Sequence, residues 1–245
     1  MGHPEKYSYV RNSPKHLRLK KILIKDQDAK NIRKKFDLIK NLNHPNLIQL
    51  YDLIEDCNFY YIIMEYEENG NLKNYILSNK TNVEANSNII EKYIYQLVDV
   101  LCYLQQKEVI HKNIKPENIL IDTEGNLKIS DFLLDKENST NTSLYKAPEF
   151  LIREENLDMK IDVWSMGYIF YELAVGKFRL EGNSEIKIYK SIMEKEINLT
   201  GIKDENIKSI IQMMLIKEKN NRFLMSDIKL KKKEYFDLLK KNLEE

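Results

Sequence analysis

The hydrophobic pattern of this 245-residue chain changes character once, close to Asn69-Gly70-Asn71. Three β-prone segments come before that point, at residues 7–24, 47–53 and 60–65, and the first of them reads as a hairpin. Helical periodicity fills residues 28–42 between them. After that point helical patterns dominate, and they cover residues 72–78, 89–106, 161–175, 185–195, 206–215 and 225–243. Two short strands, at 119–121 and 127–129, flank a turn. The pattern predicts an α+β chain, in which a small β-rich part precedes a larger helical part.

Composition excludes several classes of function. The chain has 39 Lys+Arg against 38 Asp+Glu, a formal net charge of +1, whereas a nucleic-acid binder usually carries a large basic excess. Two cysteines cannot build a disulfide framework, which favours a reducing compartment. No apolar run approaches the ~20 residues of a membrane helix, and the N-terminus lacks a secretory signal pattern. We therefore expect a soluble intracellular protein that binds neither nucleic acid nor membrane.

Residues 111–120 read His-Lys-Asn-Ile-Lys-Pro-Glu-Asn-Ile-Leu and resemble the H-R-D-L-K-P-E-N catalytic loop of eukaryotic protein kinases. Six further matches follow the order and spacing of that family: Asp131-Phe132-Leu133 for D-F-G, Ala147-Pro148-Glu149 for A-P-E, Asp162 to Gly167 for D-x-W-S-x-G, Arg222, His44-Pro45-Asn46 and Met64-Glu65-Tyr66. The resemblance covers residues 2–236. Within the family, the chain resembles the calcium/calmodulin-dependent kinase-like group.

The resemblance implies a bilobal kinase fold. Residues 1–66 would form the N-lobe, residues 67–236 the C-lobe and residues 237–245 a C-terminal helix extension. The N-lobe would be truncated, because the first strand and most of the glycine-rich loop that cradles the ATP phosphates are missing. No glycine occurs between Gly2 and Gly70, and Glu5 falls where the last loop glycine belongs. Tyr7 would replace the valine that covers adenine.

Other positions of the nucleotide site also depart from the family pattern. The phosphate-contacting strand lysine is matched by Lys20, or by Lys21 after a one-residue slip. Its glutamate partner is replaced by Lys35, so two lysines would repel each other. Arg18 replaces a small alanine and would fill the nucleotide pocket, unless the register is off by one and it is an ordinary solvated strand residue. The residual pocket would comprise Lys20, Met64, Tyr66 and Leu120.

The catalytic loop has lost its base, because Asn113 stands where the family has aspartate. An amide cannot accept the substrate's proton, and the loss of a positioned base costs a factor of ~10²–10⁴. Lys112 replaces an arginine and Leu133 replaces the D-F-G glycine. Three site residues are retained, namely Lys115 and the potential magnesium ligands Asn118 and Asp131.

The residues that hold the family scaffold together are kept. The resemblance assigns the hydrophobic column that joins the lobes to Ile39, Leu50, His111 and Phe132, with Asp162 as its anchor. It also implies a structural ion pair between Glu149 and Arg222.

The catalytic and nucleotide-binding residues are largely lost, whereas the residues that hold the fold together are kept. This combination predicts a pseudokinase, which is an interaction or allosteric module without phosphotransfer and without a cofactor. Its partner would be a protein, such as an active kinase or another member of a signalling complex. Two alternatives remain open at this point: a weak or atypical Ser/Thr kinase that uses ATP and magnesium through Lys20, Asn118 and Asp131, and a switch that binds ATP without turning it over.

Overall fold

The computed structural model describes residues 8–9, 17–23, 29–78, 87–132, 144–176 and 184–244. Its first lobe contains one antiparallel sheet, in the strand order β1-β2-β4-β3, and one helix. These elements are β1 (Ser8–Tyr9), β2 (Leu17–Leu23), α1 (Ala29–Lys40), β3 (Leu50–Glu55) and β4 (Phe59–Glu65). The pairing of β1 with β2 confirms the predicted hairpin, whose turn lies outside the described residues.

The second lobe is mainly helical, with one two-stranded hairpin. Its elements are α2 (Leu72–Ser78), α3 (Ser87–Gln106), β5 (Ile119–Ile121), β6 (Leu127–Ile129), α4 (Pro148–Leu151), α5 (Lys160–Val175), α6 (Glu185–Glu194), α7 (Glu205–Met214), α8 (Met225–Lys231) and α9 (Lys233–Glu244). A small β-rich lobe followed by a larger helical lobe confirms the predicted α+β architecture. No helix in the described part of the chain is long and apolar enough to cross a membrane.

The strand β4 has one buried face, although its sequence predicts a continuously buried run. Tyr60, Ile62 and Met64 are buried, and the residues between them are half-buried, because side chains alternate across a strand. The antiparallel register places Arg18 opposite Met64 and Lys20 opposite Ile62. Paired residues share one face of a sheet, so Arg18 and Lys20 lie on the buried face of β4.

The helix α5 is the centre of the second lobe, and every residue from 161 to 173 is buried. Gly167 permits the close approach of α7, because a Cβ atom there would come within 2.9 Å of Met214 and 2.8 Å of Leu215. Two buried polar side chains of α5 are hydrogen-bonded to the same residue: Ser165 Oγ donates to the Tyr145 carbonyl at 2.8 Å, and Glu172 accepts from the Tyr145 hydroxyl.

A segment that we call the interlobe strap, residues 46–48, connects the first lobe to β6. The Ile48 N–H donates to the Ile129 carbonyl at 2.9 Å, and the Ile129 N–H donates to the Asn46 carbonyl at 2.8 Å. Asn46 Nδ2 also donates to the Leu127 carbonyl at 2.7 Å. Residues 47 and 48 therefore pair with the second lobe, which explains why β3 begins at Leu50 and not at the predicted residue 47.

The prediction of one continuous helix over residues 225–243 is wrong. The structure has two helices there, α8 and α9, which are separated at Lys232. The buried positions Met225, Ile228, Phe236 and Leu239 share one face of a continuous helical projection, so the hydrophobic period carries no signal of the break. The domain boundary expected after residue 236 falls inside α9.

Candidate functional site

A cavity of about 290 Å³, which we call the interlobe cavity, lies between the buried face of the sheet and the loop that follows α3. The first lobe contributes Arg18, Lys20 and Met64 to its lining. The second lobe contributes, among others, Asn113, Lys115, Asn118, Leu120 and Asp131. Most of the site residues expected from the sequence therefore meet in one place.

The Lys20 ammonium pairs directly with the Asp131 carboxylate across the cavity, and Lys20 is only 5% exposed. Lys21 lies on the opposite face, where its Nζ stands 3.5 Å from the centroid of the Phe59 ring. Lys20 is therefore the inward lysine, and the one-residue slip is wrong. The partner of Lys20 is Asp131 of the other lobe. The position of Lys20 is therefore set by this pair and not by the expected repulsion from Lys35.

Asn113 is a buried residue of the cavity wall, with 5% of its surface exposed. Its backbone N–H donates to His111 Nδ1 at 3.1 Å, and its carbonyl accepts from Asn118 Nδ2 at 2.8 Å. Its side-chain Oδ1 is buried and has no hydrogen-bond partner within the described residues. An amide oxygen accepts hydrogen bonds but does not take up a proton at neutral pH, so this position cannot serve as a general base.

Asp162 fixes the backbone of the same loop. Its carboxylate accepts the His111 N–H at 2.7 Å and the Lys112 N–H at 2.9 Å. Burial raises the pKa of Asp162 to about 7, and the two N–H bonds counteract part of that rise. The φ of Lys112 is +65° and that of Asp131 is +76°, a backbone region that residues with a Cβ adopt at a cost. The Asp162 bonds hold Lys112 in that conformation.

The predicted hydrophobic column is buried throughout. The His111 and Phe132 rings lie 4.2 Å apart between centroids, and His111 Nε2 lies 3.0 Å from the Ser130 carbonyl oxygen. Ile39, Leu50 and Phe132 belong to one hydrophobic cluster that extends through both lobes. The cluster therefore connects α1 and β3 to the segment that carries Asp131.

Glu149 and Arg222 form a bidentate ion pair deep in the second lobe. Arg222 Nη1 lies 2.6 Å from Glu149 Oε1, and Nη2 lies 3.1 Å from Oε2. Their exposed fractions are 1% for the arginine and 3% for the glutamate. The guanidinium also donates to three backbone carbonyl groups, those of Lys160, Ile216 and Lys217. Both charges are fully hydrogen-bonded, which is the condition under which a buried pair is tolerated.

Two expectations about the lining need correction. Tyr66 does not line the interlobe cavity but a separate cleft of about 1110 Å³, because β4 ends at Glu65 and strand alternation no longer directs the next residue. Glu117 was missed as a lining residue although it lies in the catalytic-loop match. Its Oε1 accepts from Lys73 Nζ at 2.8 Å, and its Oε2 is buried without a hydrogen-bond partner in the described part of the chain. Gly2, Glu5, Tyr7 and Leu133 lie outside the described residues.

Comparisons with known proteins match the geometry. A family model described as the protein kinase domain matches residues 8–236. An Aurora kinase of Candida glabrata is 33% identical over 177 residues, which cover 69% of this chain and 48% of the relative. The probable serine/threonine-protein kinase MARK-A of Dictyostelium discoideum is 27% identical over 176 residues, covering 69% and 16% respectively. The matched region thus spans about half the length of the first relative and less of the second.

Proposed function

The chain belongs to the protein kinase family, and we propose that it is a pseudokinase, a regulatory module of kinase fold that transfers no phosphate. The observation that carries the proposal is the amide of Asn113 in the cavity wall, at the position where the family places its catalytic base. Among the described residues that line the cavity, the carboxylates are those of Asp131 and Glu117, which pair with Lys20 and Lys73.

We propose that the cavity does not hold a complete magnesium nucleotide. Its volume of about 290 Å³ is at the lower end of the ~300–1,000 Å³ that is typical of small-molecule sites. Arg18 lines the cavity from the sheet side, where the family has a small residue. Its guanidinium group therefore lies beside the apolar part of the cavity, which Met64 and Leu120 line. We propose that the module works without ATP and magnesium.

A protein partner is the proposed target of this module. The buried Glu149–Arg222 pair, the Asp162 anchor and the His111–Phe132 contact support a rigid scaffold on which a partner could be held. We propose an active kinase or another component of an intracellular signalling complex as that partner. The likeness to the calcium/calmodulin-dependent kinase-like group stays a prediction.

A weak Ser/Thr protein kinase is the second candidate. It is favoured by one observation, the presence of Lys20, Asn118 and Asp131 on the wall of a single cavity. The relatives named above as kinases support the same candidate. Under it, these three residues would position a nucleotide and a metal, and transfer would proceed without a general base at a reduced rate.

A transfer assay separates the two candidates. Purified wild-type protein is incubated with radiolabelled ATP, magnesium and generic protein substrates, beside the Asp131→Ala variant, which removes the metal-ligand position. Lys21→Ala, a change of the neighbouring outward-facing lysine, is the matched control. We expect the same background signal from all three proteins. A wild-type rate that persists in Lys21→Ala and disappears in Asp131→Ala would establish the weak kinase and refute the pseudokinase.

A further inference from the structure

The cleft that Tyr66 lines, which we call the acidic cleft, shares no lining residue with the interlobe cavity within the described part of the chain. It lies between residues 65–68, the helix α3 and the turn that joins β5 to β6, and the last turn of α9 borders it. Its volume of about 1110 Å³ exceeds the ~300–1,000 Å³ that is typical of small-molecule sites. An occupant that fills the acidic cleft is therefore larger than a metabolite, and a stretch of polypeptide has the required size.

Negative charge is concentrated in the acidic cleft. Its lining contains the two lysines Lys92 and Lys128 against six carboxylates, those of Glu65, Glu67, Glu68, Asp99, Asp122 and Glu124. Lys229 pairs with Asp99 from outside the lining at 2.6 Å, and with that lysine counted the excess is still three negative charges. The whole chain has a formal net charge of +1, so the excess is local. A ligand that complements this cleft is cationic.

The carboxylate of Glu67 is incompletely neutralised within this lining. Its side chain is 7% exposed, and its Oε1 lies 3.3 Å from Lys128 Nζ. The same ammonium group lies closer, at 2.5 Å, to Glu65 Oε1. Burial raises the pKa of Glu67, Lys128 counteracts part of that rise and the Glu65 carboxylate adds to it. Two carboxylates thus share one ammonium group, and a cationic group of a ligand would supply the missing positive charge.

Aromatic and aliphatic side chains complete the lining of the acidic cleft. Tyr51, Tyr66 and Tyr95 are half-buried there, and Leu243 at the end of α9 is 42% exposed. A guanidinium group forms two parallel hydrogen bonds to a carboxylate and also stacks on aromatic rings, so arginine suits this lining better than lysine does. Covering Leu243 with an apolar side chain would remove apolar surface from water. The lining therefore favours arginine together with an aliphatic residue.

We infer that the acidic cleft is the surface on which the partner protein docks, through an extended segment that contains several arginines and an aliphatic residue. The arginines would pair with the carboxylates of residues 65–68 and of the β5–β6 turn, and the aliphatic residue would cover Leu243. The inference rests on the proposed function, because it names the chemistry of the partner that the module holds. Docking at this cleft leaves the interlobe cavity unoccupied.

Fluorescence anisotropy of a labelled peptide on the full chain tests the inference. The peptide has about 12 residues, ~40 Å when extended, with four arginines and two leucines among glycine and serine. We expect a dissociation constant below about 100 µM at about 0.05 M salt, and at least tenfold weaker binding at about 0.3 M salt because salt screens the charges. Replacing the arginines by glutamate should abolish binding, and spermine should bind at least tenfold more weakly than the peptide because it has no apolar side chain.

The double variant Glu68→Gln with Glu124→Gln tests the charge of the cleft, and both residues are exposed, so the fold should be kept. We expect it to bind the peptide at least tenfold more weakly. Glu155→Gln with Glu196→Gln is the matched control, because it makes the same change in net charge at exposed positions outside the lining and should bind as the wild type does.

The variant Leu243→Ser tests the apolar contact and should weaken peptide binding at least threefold. Leu238→Ser changes a leucine of the same helix that is 55% exposed and lies outside the lining, so it should leave binding unchanged.

No binding of the peptide up to about 1 mM, equal binding by Glu68→Gln with Glu124→Gln, or equal affinity for spermine would overturn the inference. A wild-type dimer in sedimentation that this double variant abolishes would also overturn it, since the occupant would then be a second copy of the chain. Phosphate transfer in the assay above would instead overturn the proposed function and would leave the peptide measurement unaffected, so the two failures are distinguishable.

Discussion

Replacing Glu149 by glutamine should destabilise the protein strongly while leaving its shape almost unchanged. The carboxylate neutralises Arg222, whose side chain is inaccessible to solvent. Removing one partner of a buried pair leaves an uncompensated charge and typically costs ~3–5 kcal/mol. Glutamine retains one acceptor oxygen, and the guanidinium keeps its bonds to three carbonyl groups. We therefore expect the lower end of that range, about 3 kcal/mol.

Thermal unfolding followed by circular dichroism measures this loss. In a chain of about this size a change of 1 kcal/mol shifts the melting temperature by ~2–4 °C, so Glu149→Gln should melt about 6–12 °C below the wild type. Asp237→Asn is the matched control. It breaks the Lys233–Asp237 pair of α9, whose side chains are 68% and 59% exposed, and exposed pairs contribute at most ~1 kcal/mol.

The reasoning fails if Glu149→Gln melts within the shift seen for Asp237→Asn. That result would mean that the three carbonyl groups alone hold Arg222, and that the charge of Glu149 is not needed inside the lobe.

Three further outcomes follow from the site. Asn113→Asp alone should restore no detectable transfer in a radiolabel assay, because Arg18 still adjoins the nucleotide pocket; turnover on the order of 1 s⁻¹ would contradict this. Arg18→Ala should strengthen ATP binding measured by calorimetry, from weaker than ~1 mM in the wild type; micromolar binding by the wild type would show that Arg18 is no obstacle. Burial raises the pKa of Asp162 from 3.8 to about 7, so the folded state retains a proton that the unfolded chain loses. The wild-type free energy of unfolding should therefore fall by up to ~4 kcal/mol, relative to Asp162→Asn, between about pH 4 and pH 7; parallel urea-unfolding profiles of the two proteins across that range would contradict it.

The fold was largely predictable because its elements have local signatures. The apolar run of β4 and the helical period of α3 come from each segment's own contacts with one core. Predictions erred where a distant segment decided the outcome. The start of β3 depends on β6, which withdraws residues 47 and 48 from the sheet. The break at Lys232 leaves the hydrophobic period intact, so the local sequence pattern does not indicate it.

The members of the site could be predicted, but their pairing could not. Motif spacing indicates that Asn113, Asn118 and Asp131 belong together, and the structure places all three on one wall. The choice between Lys20 and Lys21 required the register of β2 against β4, which is a contact between strands about 40 residues apart. The Lys20–Asp131 pair joins residues separated by 111 positions, and no local pattern specifies such a contact.

The interlobe strap determines how the two lobes can move. Backbone hydrogen bonds between residues 46 and 48 and Ile129 join the two lobes at one line, so we expect opening of the lobes to be a rotation about that line. Asp131 lies two residues beyond Ile129 and therefore sits near the axis, where a rotation displaces it little. Lys20 lies on β2, farther from this line in the first lobe. Opening of the lobes would thus separate Lys20 from Asp131 first, while the contact at Ile129 is kept.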